Sequence, residues 1–205
     1  MKIIGINGSP RIGGNADVLL DKALEGARSI GAETEKIILN TLKIAPCQEC
    51  ENLKDDGSCI IEDDMQGLYR KILEADAVIV ASPVFFGSIT AQTKIMIDRF
   101  QCLWRAKFIL KRNTVKKERV GAFISVEASN REDFFVNARS VVKNFFAVID
   151  ANYREEILCR GVDEKGKVLK RPDCLEKVFE LGVKVASFVK QNQALGTGKD
   201  KTKET

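Results

Sequence analysis

The first sixteen residues restrict the fold of this chain more than any other stretch does. They read MKIIGINGSPRIGGNA: an apolar run from Lys2 to Asn7 is typical of a buried strand, a glycine-rich turn follows it, and an amphipathic helix begins near Gly14. A strand that leads through a turn into a helix N-terminus presents several unpaired backbone N–H groups in one place. This stretch therefore predicts a binding site for an anion, usually a phosphate.

The turn after this strand excludes two common classes of nucleotide site. Gly8 and Gly13 have the spacing of a P-loop, but Gly14-Asn15 stands where Lys-Ser/Thr should reach the terminal phosphates and Mg²⁺. The glycines do not fit the G-x-G-x-x-G spacing of a dinucleotide site either. The groups that remain suit one phosphomonoester: the Ser9 hydroxyl, the rigid Pro10, the Arg11 guanidinium and the Asn15 amide. The alternative is an ordinary strand-to-helix turn in which Asn15 caps the helix.

The absence of histidine limits the chemistry that the protein itself can perform. Among the 205 residues there is none, which excludes Ser-His-Asp and Cys-His catalysis, histidine metal sites and histidine general bases. A bound cofactor is therefore expected to carry the chemistry. The length favours one domain, predicted as residues 1–193, followed by a polar tail at 194–205 that we expect to be disordered.

Charge and hydropathy limit the partners. No run approaches the ~20 apolar residues of a membrane span, and the start lacks a signal peptide's basic and apolar regions, so we expect a cytoplasmic protein with no membrane partner. The net charge is +4, of which +2 lies from Lys190 onward, and this balance predicts no nucleic-acid partner. The basic stretch from Arg105 to Arg119 is interpreted as a solvated connection, the alternative being attraction of a phosphorylated cosubstrate.

Predicted strands and helices alternate along the chain. The strands are Lys2 to Asn7, Glu33 to Leu39, Ala77 to Ala81, Val120 to Val126 and Tyr153 to Cys159. Helices are predicted from near Gly14 to Gly31, from Asp63 or Asp64 to Leu73, and over Ala91 to Trp104, Glu132 to Val148 and Leu175 to Val189, with a hairpin or loop over Val162 to Lys170. This alternation favours an α/β three-layer sandwich with a five-stranded parallel sheet. Five strands suit the flavodoxin-like order 2-1-3-4-5, in which a crevice opens at the carboxyl ends of strands 1 and 3.

The loop after the third strand would face the same crevice as the glycine-rich turn. The segment from Ser82 to Ser88 is too apolar for an exposed connector. Its backbone groups can hydrogen-bond the polar edge of a planar heterocycle while Phe85 and Phe86 cover the ring system. The alternative is that both phenylalanines complete the core. A phosphate loop and an aromatic loop at one crevice suit FMN, a mononucleotide with a flat ring.

At these residues the sequence resembles the NADPH-dependent FMN reductase family, and more closely its branch of iron-sulfur flavoproteins. GSPRIGGNA resembles the family's phosphate loop, and SPVFFGSITAQTKIMIDRF is similar to its isoalloxazine loop and the helix that follows. PCQECENLKDDGSCIIEDDM resembles the cysteine segment of the branch. The similarity spans residues 1 to about 104, half of the chain.

The resemblance implies a cofactor, a set of contacts and an activity. It places phosphate contacts on Ser9, Arg11, Gly13, Gly14, Asn15 and Ala16, and flavin-ring contacts on Pro83, Val84, Phe85, Phe86, Gly87 and Ser88. In this fold, Glu127 to Ser129 would also approach the ring. The implied activity is an FMN-dependent oxidoreductase that passes electrons from NAD(P)H through FMN to a quinone, a flavin, a nitro or azo compound, or a protein acceptor. Analogy with the fold implies a homodimer or homotetramer.

Two other functions stay open at this point. One is a flavodoxin-like or iron-sulfur flavoprotein electron carrier without direct NAD(P)H turnover. The other is a scaffold or regulatory module on the same fold, which would bind no flavin.

The cysteine segment gives an incomplete set of ligands. The cluster motif of the branch is C-x2-C-x2-C followed by a fourth cysteine, which together supply four thiolates to a [4Fe-4S] centre. Cys47, Cys50 and Cys59 match its first, second and fourth places, and Leu53 stands at the third. A cluster would need a ligand from another subunit, a three-iron form, or one of the remaining cysteines, Cys102, Cys159 and Cys174. A structural zinc site and free thiols packed in a loop are the alternatives.

Overall fold

The fold is a five-stranded parallel sheet in the order β2-β1-β3-β4-β5. We describe it from a computed structural model that covers residues 1–50, 54, 58–111 and 117–199, with side chains to residue 194. The strands are β1 Lys2–Asn7, β2 Glu33–Ile38, β3 Ala77–Pro83, β4 Arg119–Val126 and β5 Ala151–Cys159. The predicted fold class, strand order and parallel pairing are confirmed.

Helices cover both faces of the sheet. They are α1 Asn15–Ser29, α2 Met65–Glu74, α3 Ala91–Asp98, α4 Gln101–Trp104, α5 Phe135–Val148 and α6 Pro172–Lys199. Successive side chains of a strand point to opposite faces, so that Ile3 packs with α1 and α6 in one core, whereas Ile4 and Ile6 pack with α2 to α5 in the other. Both cores are made of side chains that are almost fully buried. The result is the three-layer sandwich that the alternation predicts.

The predicted helix from Ala91 to Trp104 is two helices with a break. Helix α3 ends at Asp98, α4 begins at Gln101, and a π-helical turn, Arg105–Ile109, follows. The break coincides with the carbonyl of Arg99, which accepts a hydrogen bond of 2.5 Å from the Tyr69 hydroxyl on α2. A tertiary contact of this kind has no signature in the apolar spacing of the helix itself.

Residues 162–170 form a loop with a 3₁₀ turn, Lys167–Lys170, which is one of the two predicted alternatives, a hairpin or a loop. Two other segments differ from the sequence-based prediction. Helix α6 continues to Lys199, beyond the start of the predicted tail at Ala194, and residues 200–205 lie outside the described part of the chain. Arg119, at the end of the basic stretch, is only 2% exposed and donates to the carbonyls of Ile72, Leu73, Lys117 and Ile149. None of the described helices is long and apolar enough to cross a membrane.

Helices α1 and α6 approach each other at two glycines. A Cβ on Gly182 would lie 1.8 Å from the carbonyl oxygen of Ala23, and one on Gly26 would lie 2.1 Å from that of Phe179. Both obstacles are backbone atoms, which cannot move aside as a flexible side chain can. The close contact of α1 with α6, which supports the glycine-rich turn at the start of α1, therefore depends on these glycines.

Replacing Gly182 with alanine is expected to lower the free energy of unfolding by about 3 kcal/mol, because overpacking against backbone falls at the upper end of such costs. Gly67, in the first turn of α2, is the matched control, since a Cβ there meets nothing within 4 Å. Gly67→Ala is expected to stabilise the protein by about 0.5–1 kcal/mol through helix propensity. Urea denaturation followed by circular dichroism measures both. Equal effects of the two substitutions would contradict this account.

Candidate functional site

A cleft lies at the carboxyl ends of the strands. Four segments line it: the turn after β1, the residues after β3, the residues after β4 and the loop after β5. Its lining residues are Ser9, Pro10, Arg11, Gly14, Asn15, Ala16, Pro83, Val84, Phe85, Val126, Glu127, Ala128, Val162, Asp163 and Lys165. Most of the predicted flavin contacts thus come together around one cleft, and the lining does not include four of them, Gly13, Phe86, Gly87 and Ser88.

The turn from Gly8 to Gly14 is held by its own hydrogen bonds. The Asn7 side chain accepts from the amide of Ser9 at 2.9 Å, and the Ser9 hydroxyl accepts from the amide of Arg11 at 3.1 Å. Gly13 has a φ of 70° and donates its amide to Asp17 at 2.7 Å. These bonds fix the turn before any ligand arrives, so little conformational entropy remains to be lost on binding.

Two cations lie beside this turn without an ion-pair partner in the described part of the chain. One is Arg11, which is exposed on the turn itself. The other is Lys165, whose Cε lies 3.4 Å and whose Nζ lies 3.7 Å from the position of a Cβ on Gly13. Together with the free amides of the first turn of α1, these groups form a site suited to a phosphate.

The Asn15 side chain is held by two hydrogen bonds to the loop after β5. Its side-chain nitrogen donates to the carbonyl of Glu164 at 2.8 Å, and its side-chain oxygen accepts from the amide of Val168 at 3.2 Å. The N-cap of α1 is Gly14, with no side-chain cap, so the alternative in which Asn15 caps the helix is wrong. Asn15 instead links the loop after β5 to the start of α1, and Lys165 of this loop lies beside the glycine-rich turn.

The loop after β3 is a tight hairpin that contributes one wall of the cleft. Phe85 and Ser88 exchange backbone hydrogen bonds of 2.8 and 3.1 Å. Phe86 and Gly87 form the tip, with φ of 49° and 73°, as a two-residue turn with both residues at positive φ requires. The Phe86 side chain is fully exposed and that of Phe85 about half exposed, so the alternative in which both complete the core is wrong.

Glu127 brings a buried carboxylate to the cleft. The residue is 3% exposed, and its Oε2 accepts from the amide of Ser129 at 3.0 Å and from the Ser129 hydroxyl at 2.7 Å. Its Oε1 is buried and has no partner among the described residues. A buried acceptor without a donor is costly, and a ligand N–H or O–H in the cleft would satisfy it.

The residues present fit FMN. The turn with Arg11 and Lys165 suits a phosphate, and the apolar wall of Pro83, Val84 and Phe85 suits a flat ring. Oε1 of Glu127 requires a donor, which the ribityl hydroxyls or the ring N–H of FMN can provide. Sequence reasoning identified the turn and the wall but missed Lys165, which no local pattern marks.

The cysteines of the predicted metal site line a second cavity. Cys47, Cys50 and Cys59 are among its lining residues, and Leu53 lies outside the described residues. No group of three or more His, Cys, Asp or Glu side chains is arranged around a single metal ion among the residues that the structure describes. The structure therefore gives no support to the alternative of a structural zinc site there.

Comparison with known proteins identifies relatives over most of the chain. The model of the family described as NADPH-dependent FMN reductase matches residues 1–154. An iron-sulfur flavoprotein of Methanosarcina thermophila is 42% identical over 129 residues, which are 63% of this chain and 64% of that protein. Another, from Methanocaldococcus jannaschii, is 36% identical over 197 residues, which are 93% of this chain and 98% of that protein. The chain thus spans just under two thirds of the first relative and nearly all of the second.

Solved structures share the fold at low sequence identity. A flavone reductase superposes with a TM-score of 0.69 at 22% identity and covers 94% of this chain and 64% of its own. An NAD(P)H:quinone oxidoreductase from Methanothermobacter marburgensis superposes with a TM-score of 0.65 at 18% identity and covers 89% of this chain and 98% of its own. At these identities the likeness shows the flavodoxin-like fold.

Proposed function

Because the chain belongs to the NADPH-dependent FMN reductase family, we propose that it binds FMN in the cleft and passes electrons from NAD(P)H to an acceptor. The acceptor is a quinone, a flavin, a nitro or azo compound, or a protein. The observation that carries this proposal is a single cleft that combines an apolar wall with two cations and a buried carboxylate oxygen that have no partner among the described residues. Each of these features matches one part of FMN.

The phosphate end of the cofactor would lie at the turn after β1. Arg11 and Lys165 would neutralise the phosphate charge, and the amides of Asn15 and Ala16 at the helix start would donate hydrogen bonds. Asn15 also holds the loop of Lys165 in place through its side chain. The binding energy for FMN would therefore come largely from this end.

The ring would lie against Pro83, Val84 and Phe85. FMN supplies the hydride and electron transfer when it is bound, and the chain supplies orientation and exclusion of water. Val84 donates its amide to the carbonyl of Val126 at 2.8 Å, which fixes this wall against β4. Direct hydride transfer needs no protein acid or base, which agrees with a sequence that has no histidine.

A second candidate function is an electron carrier that receives its electrons from another reductase. It is favoured by the two relatives named iron-sulfur flavoprotein, one of which matches nearly the whole chain. Anaerobic oxidation of NADH and NADPH by the FMN-loaded protein, with a quinone as acceptor, separates the two functions. A reductase turns over the nicotinamide with the quinone alone, whereas a carrier stays slow until a separate reductase is added. Failure to bind FMN at all would overturn both and favour the scaffold.

The expected homodimer or homotetramer forms part of this proposal. Four large apolar side chains are at least one third exposed between the end of α4 and the residue after the π-helical turn: Trp104, Phe108, Ile109 and Leu110. Exposed apolar side chains grouped so closely along the chain are typical of a protein interface.

Glu127→Ala is expected to weaken FMN binding about tenfold or more, because a hydrogen bond to a charged group contributes about 1.5–3 kcal/mol. Glu132→Ala is the control: it removes an equal charge five residues away, from an exposed side chain. Fluorescence titration with FMN measures both dissociation constants. An unchanged constant for Glu127→Ala would show that its carboxylate does not contact the cofactor.

A further inference from the structure

Four of the six cysteines line one cavity. It has a volume of about 290 Å³ and is lined on one side by residues 47–50 and 59–61 of the cysteine segment and on the other by Arg99 and residues of helix α4. Cys47, Cys50 and Cys59 come from the segment, and Cys102 comes from α4. The sequence does not show which of the other three cysteines, Cys102, Cys159 or Cys174, could supply a further thiolate. The fold distinguishes between them.

The other two cysteines lie on the opposite face of the sheet. Cys159 and Cys174 belong to the core formed with α1 and α6, whereas Cys59 and Cys102 belong to the core formed with α2 to α5. Cys159 and Cys174 line a different cavity, together with Arg160 and other residues near β5. A sheet of backbone thus separates them from the cysteine segment, and only Cys102 among the three can reach it.

Arg99 connects Cys102 to the cysteine segment. Its Nη2 donates to the sulfur of Cys59 at 3.4 Å, while its carbonyl oxygen accepts from the thiol of Cys102 at 3.4 Å. Both cysteines are buried, and both lie against the same arginine. Arg105 lines the cavity as well and donates to the carbonyl of Cys50 at 3.2 Å.

The chemistry of this donor set favours a group larger than one ion. A single zinc ion needs its sulfur ligands about 2.3 Å from one point, and the described residues form no such group. An iron-sulfur cluster takes one thiolate at each of several separated iron atoms, so its ligands line a cavity instead of converging. Four thiolates also give the site a negative charge, which Arg99 and Arg105 complement.

We propose that Cys102 is the fourth ligand of a [4Fe-4S] cluster held by Cys47, Cys50 and Cys59, in place of the thiolate that the sequence lacks at position 53. On assembly from two ferrous ions, two ferric ions and four sulfide ions, each of the four thiols releases its proton to solvent as its sulfur bonds one iron, so that no external oxidant is needed. The cluster is a second redox centre beyond the FMN site, and the two can be loaded and assayed separately.

The test is anaerobic reconstitution of the full chain with equal amounts of ferrous and ferric iron and with sulfide. Iron and acid-labile sulfide are assayed, and the electron paramagnetic resonance spectrum is recorded after reduction with dithionite. The wild type is expected to hold about four iron and four sulfide per chain. Cys102→Ser is expected to hold about three iron or fewer and to lose the signal of the reduced four-iron cluster. Cys159→Ser and Cys174→Ser are the matched controls and are expected to keep the wild-type content.

Several outcomes would overturn the assignment. A wild type that takes up no iron, about three iron, or only zinc lacks the four-thiolate site. A Cys102→Ser variant that keeps the full iron content shows that its fourth ligand is elsewhere. Circular dichroism and FMN affinity check that the variant is folded, and Cys102→Ala is used if the serine hydroxyl disrupts the core. A wild type that binds FMN but forms no cluster would contradict only this inference. A wild type that forms the cluster but does not bind FMN would contradict only the proposed function.

Discussion

Replacing both Arg11 and Lys165 with alanine is expected to weaken FMN binding about a hundredfold. Each cation would donate a charge-assisted hydrogen bond to the phosphate, and such bonds contribute about 1.5–3 kcal/mol. Because both side chains are exposed, solvent screening favours the lower value, which gives about 3 kcal/mol for the pair. Fluorescence titration with FMN measures the dissociation constants. Each single substitution is expected to lose about half of the binding free energy that the double variant loses.

The control must remove the same charge from the same region. Lys167 and Lys170 lie in the same loop as Lys165 but do not line the cleft, so Lys167→Ala with Lys170→Ala removes two charges without removing a contact. This control is expected to change the dissociation constant less than about threefold, through long-range attraction that salt screens. If the two double variants weakened binding equally, the cations would act only through net charge and the phosphate site would be misplaced.

The architecture could be predicted from the sequence because its signals are local. Strands buried on both faces appear as continuous apolar runs, as in β3, where Ala77 to Ala81 are fully buried. The glycine-rich turn could be recognised equally well, since Gly13 is at positive φ and Gly14 is the N-cap of α1. The strand order followed from the alternation of strands and helices together with the position of the two unusual loops.

The parts that the sequence did not predict depend on contacts between distant segments. Lys165 lies beside the glycine-rich turn on a loop that Asn15, some 150 residues earlier, holds by two hydrogen bonds. Arg119 looked like part of a solvated basic run, but it is buried, and it donates to three carbonyls near the ends of α2 and α5 and to that of Lys117. Sequence spacing could not distinguish Cys102 from Cys159 either, and the fold places them in the cores on opposite faces of the sheet.

Replacing Arg99 with leucine is expected to lower the free energy of unfolding by about 3–5 kcal/mol, the usual cost of breaking a buried ion pair by removing one partner. The Arg99 side chain is fully buried and donates to both oxygens of Asp63, at 2.5 and 3.2 Å. It also donates to the carbonyl of Ala45 at 2.9 Å, so that it joins the start of α4 to both ends of the cysteine segment. Arg70→Leu, on an exposed face of α2, is the control and is expected to cost less than about 0.5 kcal/mol.

The pH dependence of the stability difference between wild type and Arg99→Leu tests whether the ion pair between Arg99 and Asp63 is its cause. Burial alone would raise the pKa of Asp63, but the hydrogen bonds from Arg99 and from the amides of Ala45 and Met65 outweigh it and lower that pKa. A carboxyl with a lowered pKa in the folded state stabilises the protein above its unfolded value of about 3.9 and loses this effect as the pH falls. The difference in unfolding free energy between wild type and Arg99→Leu is therefore expected to have its full size near pH 7 and to shrink below about pH 4.

Adding Asp63→Asn to Arg99→Leu is expected to recover about 1–2 kcal/mol, because no unpaired carboxylate then remains. A difference that persisted unchanged at low pH, or a double variant no more stable than the single one, would mean that Arg99 acts by packing alone.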